Sequence, residues 1–512
     1  MIKKNIFLIM ICSTSVLLKG QEDINALYEF GGYLQHNAYA ITEYDSTIYV
    51  AGQMVTPDST YERNIFMASF DLEGKLLDFD YYNDSLLQLY SNNLCRDILI
   101  NEELLFVPAS SSITSGVVLE FNKDLDGFAN QINFRNPETP DINSSPLSII
   151  EYPKMKFTIT GISFTGQHGR SSLLGTKPFN GVDSITIRVY EAEGQAINPA
   201  KLLRIGEDLI IIGNGWEEDI ENDTIYFGLV IQKFDSTFQK IDERFYKEYS
   251  HFGSIMDGVI TDNNEIYLVV SEAEIEYQYE PFFDIRIYQR PNIVKIDSNL
   301  NMVWAKPIGS EEFKENPDFV FSIVKSHFNN QFIVAGYKPG TDIPRNEGII
   351  AKLDANGDTM WYRNYTSPYP LNDRIYDIIS TSDGYYMACG NRLGSLPDDP
   401  YTTNSQMWLF KFDDEGHIVV KDTTTLITSI DFPEVRIFPN PSTEILYIEQ
   451  DRTHGLDFFL YNGSGTLLTS ILDTRSFHTY VITLSEYPSG IYYLHLVDSK
   501  RGLQRVEKVI VH

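Results

Sequence analysis

The chain has 512 residues, which is more than one ordinary hydrophobic core organises, so the length predicts several domains or one large repetitive domain. Its 71 acidic residues outnumber its 40 basic residues, and the formal net charge of −31 argues against nucleic acid or an anionic membrane as a partner. The aromatic share of 13% favours β structure, because aromatic side chains fit pleated, half-buried surfaces.

The first twenty residues have the pattern of an export signal. Lys3 and Lys4 give a positive start, an apolar run extends to Cys12, and Gly20 offers a small residue for cleavage. The run is shorter than the roughly 20 apolar residues that a membrane-spanning helix needs, and no later stretch of the sequence reaches that length. We therefore predict a signal peptide over residues 1–20 and no transmembrane span.

Residues 21–420 contain a repeated unit. Each copy has an apolar strand that ends in a small residue, as in Phe332-Ile-Val-Ala-Gly336, and a second strand that ends in a turn, as in Lys352-Leu-Asp354. Asp and Asn bind their own backbone in tight turns and Gly accepts positive φ, so the turn predicts a hairpin. Two further strands flank this pair in most copies, which gives four strands per unit and about seven units.

Small sheets of this kind cannot bury both faces alone, so they stack sideways on one another. Four-stranded sheets repeated radially predict a β-propeller of about seven blades. The segment Leu27-Tyr-Glu-Phe30 precedes the first unit, and we predict that it completes the last blade and removes an open edge. Two copies, at 352–361 and 383–390, resemble bacterial propeller repeats, and this resemblance implies a fold and no particular activity.

A linker over residues 421–434 separates the repeats from a different pattern over residues 435–512. Short strands alternate there with regular turns, which predicts a small Ig-like β-sandwich. The fold class predicted for the whole chain is therefore all-β, with a β-propeller followed by this sandwich.

Three short motifs of the last segment occur in order, and they are Phe438-Pro-Asn-Pro-Ser442, Pro488-Ser-Gly-Ile-Tyr-Tyr-Leu494 and Lys508-Val-Ile-Val511. In their order and terminal position they resemble the type A C-terminal sorting domain of the type IX secretion system of Bacteroidota. The resemblance implies contact with the secretion machinery, transport across the outer membrane, and a protein that is secreted or attached to the cell surface. An Ig-like domain used for packing or adhesion is the alternative. The resemblance assigns the sorting signal to Phe438, Pro439, Asn440, Pro441, Gly490, Tyr492 and Lys508.

Aromatic residues on long loops are the candidate binding residues of the repeat domain. Loops such as 272–290 and 391–406 are expected on the same side of every unit, and loops on a rigid scaffold often carry function. Their rings could stack on a sugar or cover a peptide, so we predict a glycan or protein ligand. The alternative is that the rings pack on neighbouring loops. The candidates are Trp216, Tyr277, Tyr279, Phe282 and Phe283.

No catalytic motif occurs in the sequence, so no catalytic residue is assigned and a binding protein is favoured over an enzyme. The alternative is an extracellular hydrolase that acts on polysaccharide or peptide. A carboxylate pair for such a reaction forms in space, and a sequence does not reveal it. A structural component of the envelope without a soluble ligand is the third interpretation.

No cofactor is predicted, and calcium is the one ion that the sequence leaves open. Asp354-Ala-Asn-Gly-Asp358 resembles the start of a calcium loop but lacks the later Glu, and Asp at this place also serves the tight turn. The acidic run 216–223 could hold calcium or face solvent. Cys95 and Cys389 could form a disulfide only if the fold brings their α-carbons within about 7 Å, and two buried thiols are the alternative.

Overall fold

The computed structural model consists of β-strands and their connections, and no helix occurs in the residues that it describes. Within that part of the chain, no helix is therefore available to span a membrane. The chain forms two compact units, Glu22–Lys421 and Asp422–His512. The described residues are 21–28, 35–55, 63–82, 97–110, 116–134, 144–154, 156–165, 169–179, 185–190, 195–219, 224–246, 252–278, 284–309, 318–328, 330–339, 346–367, 372–396, 399–422, 435–450, 456–462, 467–471, 479–485, 487–498 and 503–512.

The larger unit contains small antiparallel sheets, which we number 1 to 7 in chain order. Two short strands come first, β1 (Gln21–Asp23) and β2 (Asn25–Tyr28). Sheet 1 consists of β3 (Gln35–Tyr44), β4 (Thr47–Val55), β5 (Arg63–Phe70) and β6 (Leu76–Tyr82). Sheet 2 consists of β7 (Leu99–Ile100), β8 (Leu104–Ser110), β9 (Gly116–Asn122) and β10 (Phe128–Phe134). Sheet 3 consists of β11 (Ser144–Glu151), β12 (Lys156–Thr165), β13 (Gly169–Pro178) and β14 (Thr186–Tyr190).

The next sheets repeat this arrangement. Sheet 4 consists of β15 (Gln195–Ile205), β16 (Asp208–Asp219), β17 (Thr224–Phe234) and β18 (Lys240–Tyr246). Sheet 5 consists of β19 (Phe252–Ile260), β20 (Ile266–Gln278), β21 (Asp284–Ile296) and β22 (Met302–Pro307). Sheet 6 consists of β23 (Phe319–Lys325), β24 (Phe332–Pro339), β25 (Asn346–Leu353) and β26 (Thr359–Tyr365). Sheet 7 begins with β27 (Asn372–Ser380), β28 (Tyr386–Leu396) and β29 (Asp399–Phe412), and β30 (Val420–Asp422) then pairs with β1.

The strand β2 is the fourth strand of sheet 7. It pairs antiparallel with β29, and Trp408 Nε1 donates a 2.7 Å hydrogen bond to Asn25 Oδ1. The N-terminal outer strand expected from the sequence is therefore present, but it covers Asn25–Tyr28, and Phe30 lies outside the described residues. A single parallel residue pair between β29 and β3 also makes sheet 7 continuous with sheet 1.

Adjacent sheets bury their faces against each other. The hydrophobic clusters of the larger unit each combine side chains from two successive sheets, and this holds for every pair from sheets 1 and 2 to sheets 6 and 7. A further cluster joins sheet 7 to sheet 1, with Met387 and Leu409 on one side and Val50 and Phe66 on the other. One small sheet could not bury both faces, so this lateral stacking supplies the core.

The small residue that ends the repeated apolar strand lies opposite a β-bulge in the neighbouring strand. In sheet 6 the register shifts between Val320 and Ser322, and Gly336 pairs with Val320. A Cβ added to Gly336 would lie 1.8 Å from the carbonyl oxygen of Phe319, so only glycine fits beside this bulge. The same pairing with the residue before a bulge recurs at Gly52, Gly161, Gly213 and Gly390.

The repeated Asp turn connects the third and fourth strands of a sheet. In sheet 6, Asp354 Oδ1 accepts hydrogen bonds from the backbone N–H groups of Asn356 at 2.8 Å and Asp358 at 2.9 Å. A residue of the turn adopts positive φ, and in this sheet it is Gly357, two positions before β26, with a φ of 79°. These contacts confirm the predicted hairpin turn.

A tyrosine hydroxyl ties the fourth strand of several sheets to the next sheet. The hydroxyl of Tyr365 donates a 2.6 Å hydrogen bond to the carbonyl oxygen of Gly416, which is the positive-φ residue of the next Asp turn. Tyr28 makes the same contact from β2, so the N-terminal strand ties sheet 7 to sheet 1. The pairs are Tyr28–Gly74, Tyr190–Phe238, Tyr246–Leu300 and Tyr365–Gly416.

The smaller unit contains two sheets that share one hydrophobic core. Its strands are β31 (Val435–Phe438), β32 (Ile445–Gln450), β33 (Asp457–Tyr461), β34 (Leu467–Ile471), β35 (Thr479–Thr483), β36 (Gly490–Asp498) and β37 (Leu503–Val511). They form a three-stranded sheet in the order β31-β32-β35 and a four-stranded sheet in the order β34-β33-β36-β37. Leu446 and Ile448 from the first sheet are buried in the same cluster as Phe458 and Leu494 from the second.

Candidate functional site

Charged side chains meet where the first strands of several sheets converge. Lys201 of β15, Asp257 of β19 and Asp377 of β27 each follow a bulge, and Asp97 precedes β7. Lys201 Nζ lies 2.8 Å from Asp97 Oδ1 and 2.8 Å from Asp257 Oδ1. We call these four residues the Asp–Lys cluster, in which one ammonium group bridges carboxylates of sheets 2 and 5.

The carboxylates of the Asp–Lys cluster also accept backbone hydrogen bonds from the following sheet. Asp257 Oδ2 accepts from the N–H of Ile323 at 3.0 Å, and Asp377 Oδ2 accepts from the N–H of Ile41 at 2.9 Å. Asp97 Oδ2 accepts in the same way from the N–H of Ile149 in sheet 3, at 3.2 Å. Each of these acids therefore links the first strands of two sheets.

The titration of Asp377 differs from that of an ordinary carboxyl. Ser322 Oγ donates to Asp377 Oδ1 at 2.7 Å, whereas Lys201 pairs with the other two carboxylates. Burial raises the pKa of Asp377 to about 7, and the negative charge of Asp257 adds to the rise. Burial lowers the pKa of Lys201, but the charges of Asp257 and Asp97 raise it by more, so the ammonium form persists.

The cavity at the Asp–Lys cluster is small. It is also lined by the aromatic bulge residues Tyr39, Phe321 and Tyr376, and its volume is about 10 Å³. A cavity of this size holds about one water molecule. The carboxylates therefore have no room for a sugar or peptide between them, and their contacts hold the first strands together.

Sequence reasoning missed the Asp–Lys cluster because its members are far apart in the chain. One signal was available in the sequence. Asp97, Asp257 and Asp377 each lie a few residues before the first hairpin turn of a unit. An acidic residue at the same place in three repeats, on strands that are otherwise apolar, indicates a shared environment. The lysine that neutralises it could not be identified before the sheets were placed.

A larger groove opens beside the tight turns that connect β3 to β4 and β27 to β28. Its volume is about 540 Å³, within the range of roughly 300–1,000 Å³ that is typical of ligand sites. The lining combines the apolar side chains of Val324 and Ile379 with the polar groups of Thr42, Glu43 and the segment 380–382. We call it the turn-side groove.

The polar groups of the turn-side groove are held by hydrogen bonds. The carboxylate of Glu43 accepts from the backbone N–H of Ser382 at 2.7 Å and from its hydroxyl, so it links sheet 1 to the turn of sheet 7. A ring nitrogen of His327, another lining residue, lies 2.9 Å from the carbonyl oxygen of Tyr385. The groove thus presents a fixed carboxylate, hydroxyls and an imidazole beside an apolar surface.

Two exposed aromatic rings lie next to the turn-side groove. Phe328 follows the lining residue His327 and is 56% exposed, and Tyr385 is 37% exposed. Lys352 Nζ lies 5.0 Å from the ring centre of Phe328, and Lys411 Nζ lies 4.9 Å from that of Tyr385. The cationic contacts orient both rings without covering them completely.

The aromatic residues predicted as binding sites do not form a described cluster. Trp216 lies on β16 opposite Phe227, and Tyr277 lies on β20 opposite Ile285, so the two belong to different sheets. Tyr279, Phe282 and Phe283 lie outside the described residues.

The long loops expected at 272–290 and 391–406 are mostly strand. The antiparallel pairing of β20 with β21 continues to Gln278 and Asp284, and that of β28 with β29 continues to Leu396 and Asp399. The predicted loop extents were therefore wrong. The physical reason is that Ile, Tyr and Thr within them favour extended strand, so the hairpins continue.

The candidate calcium loop of Asp354 acts as a turn. Asp354 Oδ1 is bound by backbone N–H groups, and Asp358 Oδ1 pairs with Lys306 Nζ at 2.7 Å. The second candidate includes residues 220–223, which lie outside the described residues. Across the described ranges, no group of three or more His, Cys, Asp or Glu side chains is arranged to hold a metal ion.

The sequence left two readings for Cys95 and Cys389, a disulfide and two buried thiols, and the described residues do not test them. Cys389 is fully buried in the hydrophobic cluster that sheets 7 and 1 share. Cys95 lies outside the described residues.

The motifs assigned to the sorting signal come together in the smaller unit. Asn440 Nδ2 donates to the carbonyl oxygen of Lys508 at 2.7 Å, and Asn440 Oδ1 accepts from the N–H of Ile510 at 2.9 Å. Ser442 continues the pairing, because its N–H donates to Ile510 and its carbonyl oxygen accepts from His512 at 2.9 Å. The side-chain amide of Asn440 therefore anchors β37 to the turn between β31 and β32.

The other residues assigned to the signal lie on β31, on β36 and in the turn after β31. Gly490 begins β36 opposite Val511, and the hydroxyl of the buried Tyr492 donates to the carbonyl oxygen of Pro488 at 2.6 Å. Phe438 is exposed and stacks on Tyr447 with ring centres 5.7 Å apart. The peptide bonds before Pro439 and Pro441 are cis.

Comparisons with known proteins place only the smaller unit in a family. No curated protein matches the chain. Similar solved structures include PorZ of Porphyromonas gingivalis, with 11% identity over 93% of this chain and 70% of that chain at a TM-score of 0.28. Semaphorin 2a of Drosophila is 9% identical over 96% and 98% of the two chains, with a TM-score of 0.42. A GH93 α-L-arabinofuranosidase of Fusarium graminearum is 12% identical over 76% and 97%, with a TM-score of 0.37.

These TM-scores are low, so the likenesses carry no argument about this chain. The family model described as the secretion system C-terminal sorting domain matches residues 436–512, the part of the chain in which Asn440 anchors the last strand. Residues 436–512 are a C-terminal sorting domain of the type IX secretion system.

Proposed function

We propose that this chain is a cargo of the type IX secretion system whose larger unit is a closed seven-bladed β-propeller that binds a glycan or a protein outside the cell. The observation that carries export is the sorting domain at residues 436–512. Its two sheets, which share one core, form the Ig-like sandwich of this proposal. After removal of the signal peptide at Gly20, the protein is released or held at the cell surface.

Three features at the junction of sheets 7 and 1 support ring closure. The strand β2 completes sheet 7, the hydroxyl of Tyr28 bonds the turn of sheet 1 at Gly74, and one hydrophobic cluster spans both sheets. Asp377 adds a hydrogen bond from sheet 7 to Ile41 of sheet 1. Closure removes the open edges that sheets 1 and 7 would otherwise present.

The engaged carboxylates of the Asp–Lys cluster favour binding over hydrolysis. A glycosidase needs two carboxyl groups separated by roughly 5–10 Å with the scissile bond between them. The carboxylates of the Asp–Lys cluster are engaged by Lys201, Ser322 and backbone N–H groups around a cavity of about 10 Å³. The turn-side groove, by contrast, is open and has the volume of a ligand site.

Export is tested by comparing the full chain with a chain that lacks residues 435–512, both expressed from the signal peptide in a host with a type IX system. We expect the full chain on the cell surface or in the medium, with mass spectrometry showing Gln21 as the first residue and loss of the sorting domain. The truncated chain should accumulate in the periplasm. Equal surface appearance of both chains would contradict the role assigned to the sorting domain. A Gly127→Ala chain, which alters an uncrowded site, is the control for expression.

Binding is tested with the secreted protein on a glycan array and in pull-down from the culture medium and from extracts of surfaces on which the cells grow. We expect one reproducible class of ligand, with affinity retained in the Gly127→Ala control. Absence of any glycan or protein ligand would overturn the binding part of the proposal and leave the export part standing.

A further inference from the structure

The turn-side groove has the chemistry of a site for a neutral saccharide. The apolar side chains of Val324 and Ile379 adjoin the hydroxyls of Thr42 and Ser380 and the carboxylate of Glu43. A pyranose ring presents the same combination, since its C–H faces are apolar and its hydroxyls donate and accept hydrogen bonds. From this match we propose that the groove binds a neutral glycan, which names a ligand class and a location for the binding function proposed above and rests on it.

The hydrogen bonds within the groove leave capacity for ligand hydroxyls. Each carboxylate oxygen of Glu43 has two acceptor positions, and the contacts with Ser382 use one position on each oxygen. The same contacts fix the orientation of the carboxylate before a ligand arrives. A preorganised acceptor of this kind loses little side-chain entropy on binding.

The charge of the groove selects against acidic ligands. Glu43 and Asp45 both line it, and within the described residues no Lys or Arg forms an ion pair with either. The nearby lysines Lys352 and Lys411 are paired with Asp414 and Asp383. A uronate, sulfate or phosphate would therefore enter a negative field, whereas a neutral sugar would not.

The exposed rings beside the groove extend the site. Phe328 lies on the same turn as His327, Tyr385 lies on the turn whose carbonyl oxygen contacts His327, and each ring is oriented by a lysine. An aromatic ring that is partly exposed and held in one orientation can stack on the apolar face of a further sugar unit. The groove and the two rings together fit an oligosaccharide better than a monosaccharide.

The test uses the full secreted protein and isothermal titration with mannohexaose, maltohexaose, xylohexaose and laminarihexaose, together with hexagalacturonate as the acidic probe and chitosan hexamer as the amine-bearing probe. We expect binding of at least one neutral hexasaccharide and none of hexagalacturonate. Tyr385→Ala should weaken that binding about 3–10-fold, the range expected for loss of one aromatic contact. Glu43→Gln should weaken it about 10-fold or more, because a charge-assisted acceptor is lost.

The matched control is Met360→Ala, which removes a side chain that is 52% exposed on β26, away from the groove lining. It should bind as the wild type does, and near-ultraviolet circular dichroism should show that all variants are folded. Saccharide binding that survives both Glu43→Gln and Tyr385→Ala would overturn the groove as the site and leave the proposed binding function intact. If the wild type binds only hexagalacturonate, only chitosan or no hexasaccharide, the neutral-glycan inference is wrong, and the pull-down described above then decides the binding function separately.

Discussion

Replacement of Asp377 by Asn tests whether the carboxylate in the Asp–Lys cluster carries an electrostatic cost. Asp377 is the acid whose pKa is raised from 3.8 to about 7 by burial and by Asp257. Ionising it in the folded protein is therefore unfavourable relative to the unfolded chain. The stability that the protonated form contributes is fully present below pH 3.8 and is lost as the pH rises through about 7.

The size of the effect follows from the shift in pKa. A rise from 3.8 to about 7 corresponds to about 4 kcal/mol at pH values above both, at about 1.4 kcal/mol per unit. The side chain keeps some access to solvent, so we expect a measured effect of about 1–3 kcal/mol. Asn can keep the hydrogen bond from Ile41, and its amide can donate to Ser322, whose hydroxyl can turn to Asp257 Oδ2 at 3.4 Å. The amide nitrogen then replaces Oδ1, which accepts from the N–H of Ile378 at 2.8 Å in the wild type, so the variant loses this bond at a cost of about 1 kcal/mol.

The assay is guanidinium unfolding of both proteins at pH 4, 6 and 8, followed by tryptophan fluorescence. Asp377→Asn should be less stable than the wild type at pH 4 by about 1 kcal/mol, and this deficit should shrink or reverse as the pH rises to 8. Asp257→Asn is the contrasting variant, because it removes a partner of Lys201 and should destabilise the protein at pH 4 and 6 by about 1–3 kcal/mol. The loss should be smaller at pH 8, where the variant also lacks the negative charge that disfavours ionised Asp377. A stability difference between Asp377→Asn and the wild type that does not move in favour of the variant between pH 4 and pH 8 would refute the reasoning.

Three further substitutions test the contacts that build the two units. Gly336→Ala should cost about 3 kcal/mol by denaturant unfolding because its Cβ meets a backbone oxygen, whereas Gly127→Ala should change stability by less than about 0.5 kcal/mol; equal effects would refute the bulge explanation. Tyr365→Phe should cost about 1 kcal/mol by leaving the carbonyl of Gly416 without its hydroxyl donor, and an unchanged midpoint would contradict that contact. Asn440→Ala should lower the melting temperature of the smaller unit and the amount of protein at the cell surface. Asn440→Asp keeps the acceptor but places a carboxylate oxygen against the carbonyl oxygen of Lys508, so it should restore neither value.

Local patterns in the sequence were sufficient for the elements and their turns. Alternating apolar residues gave the strands, and the Asp turn at Asp354 forms with the backbone hydrogen bonds that its sequence predicts. The sorting domain was identified from motifs such as Phe438-Pro-Asn-Pro-Ser442, and the family match to residues 436–512 confirms it. These features depend on neighbours in the chain, so the sequence contains the information that specifies them.

The candidate sites were harder to predict because their residues come from distant repeats. Lys201 meets Asp97 and Asp257 across more than one sheet, and nothing in their local sequences pairs them. The turn-side groove joins Glu43 to Ser382, which are 339 residues apart. The loops predicted at 272–290 and 391–406 are mostly strand, because strand pairing continues to Gln278 and Asp284 and to Leu396 and Asp399.

The sequence by itself determined the all-β class, the repeated hairpin with its Asp turn, and the sorting domain at the end of the chain. Only the tertiary structure decided that Gly336 must be glycine, since the steric demand comes from the bulged strand beside it. It also decided which charges neutralise each other and where an open groove lies. The physical reason is that backbone propensity and turn chemistry act over a few residues, whereas ion pairs, crowding and cavities arise from distances between strands that the chain brings together only when it folds.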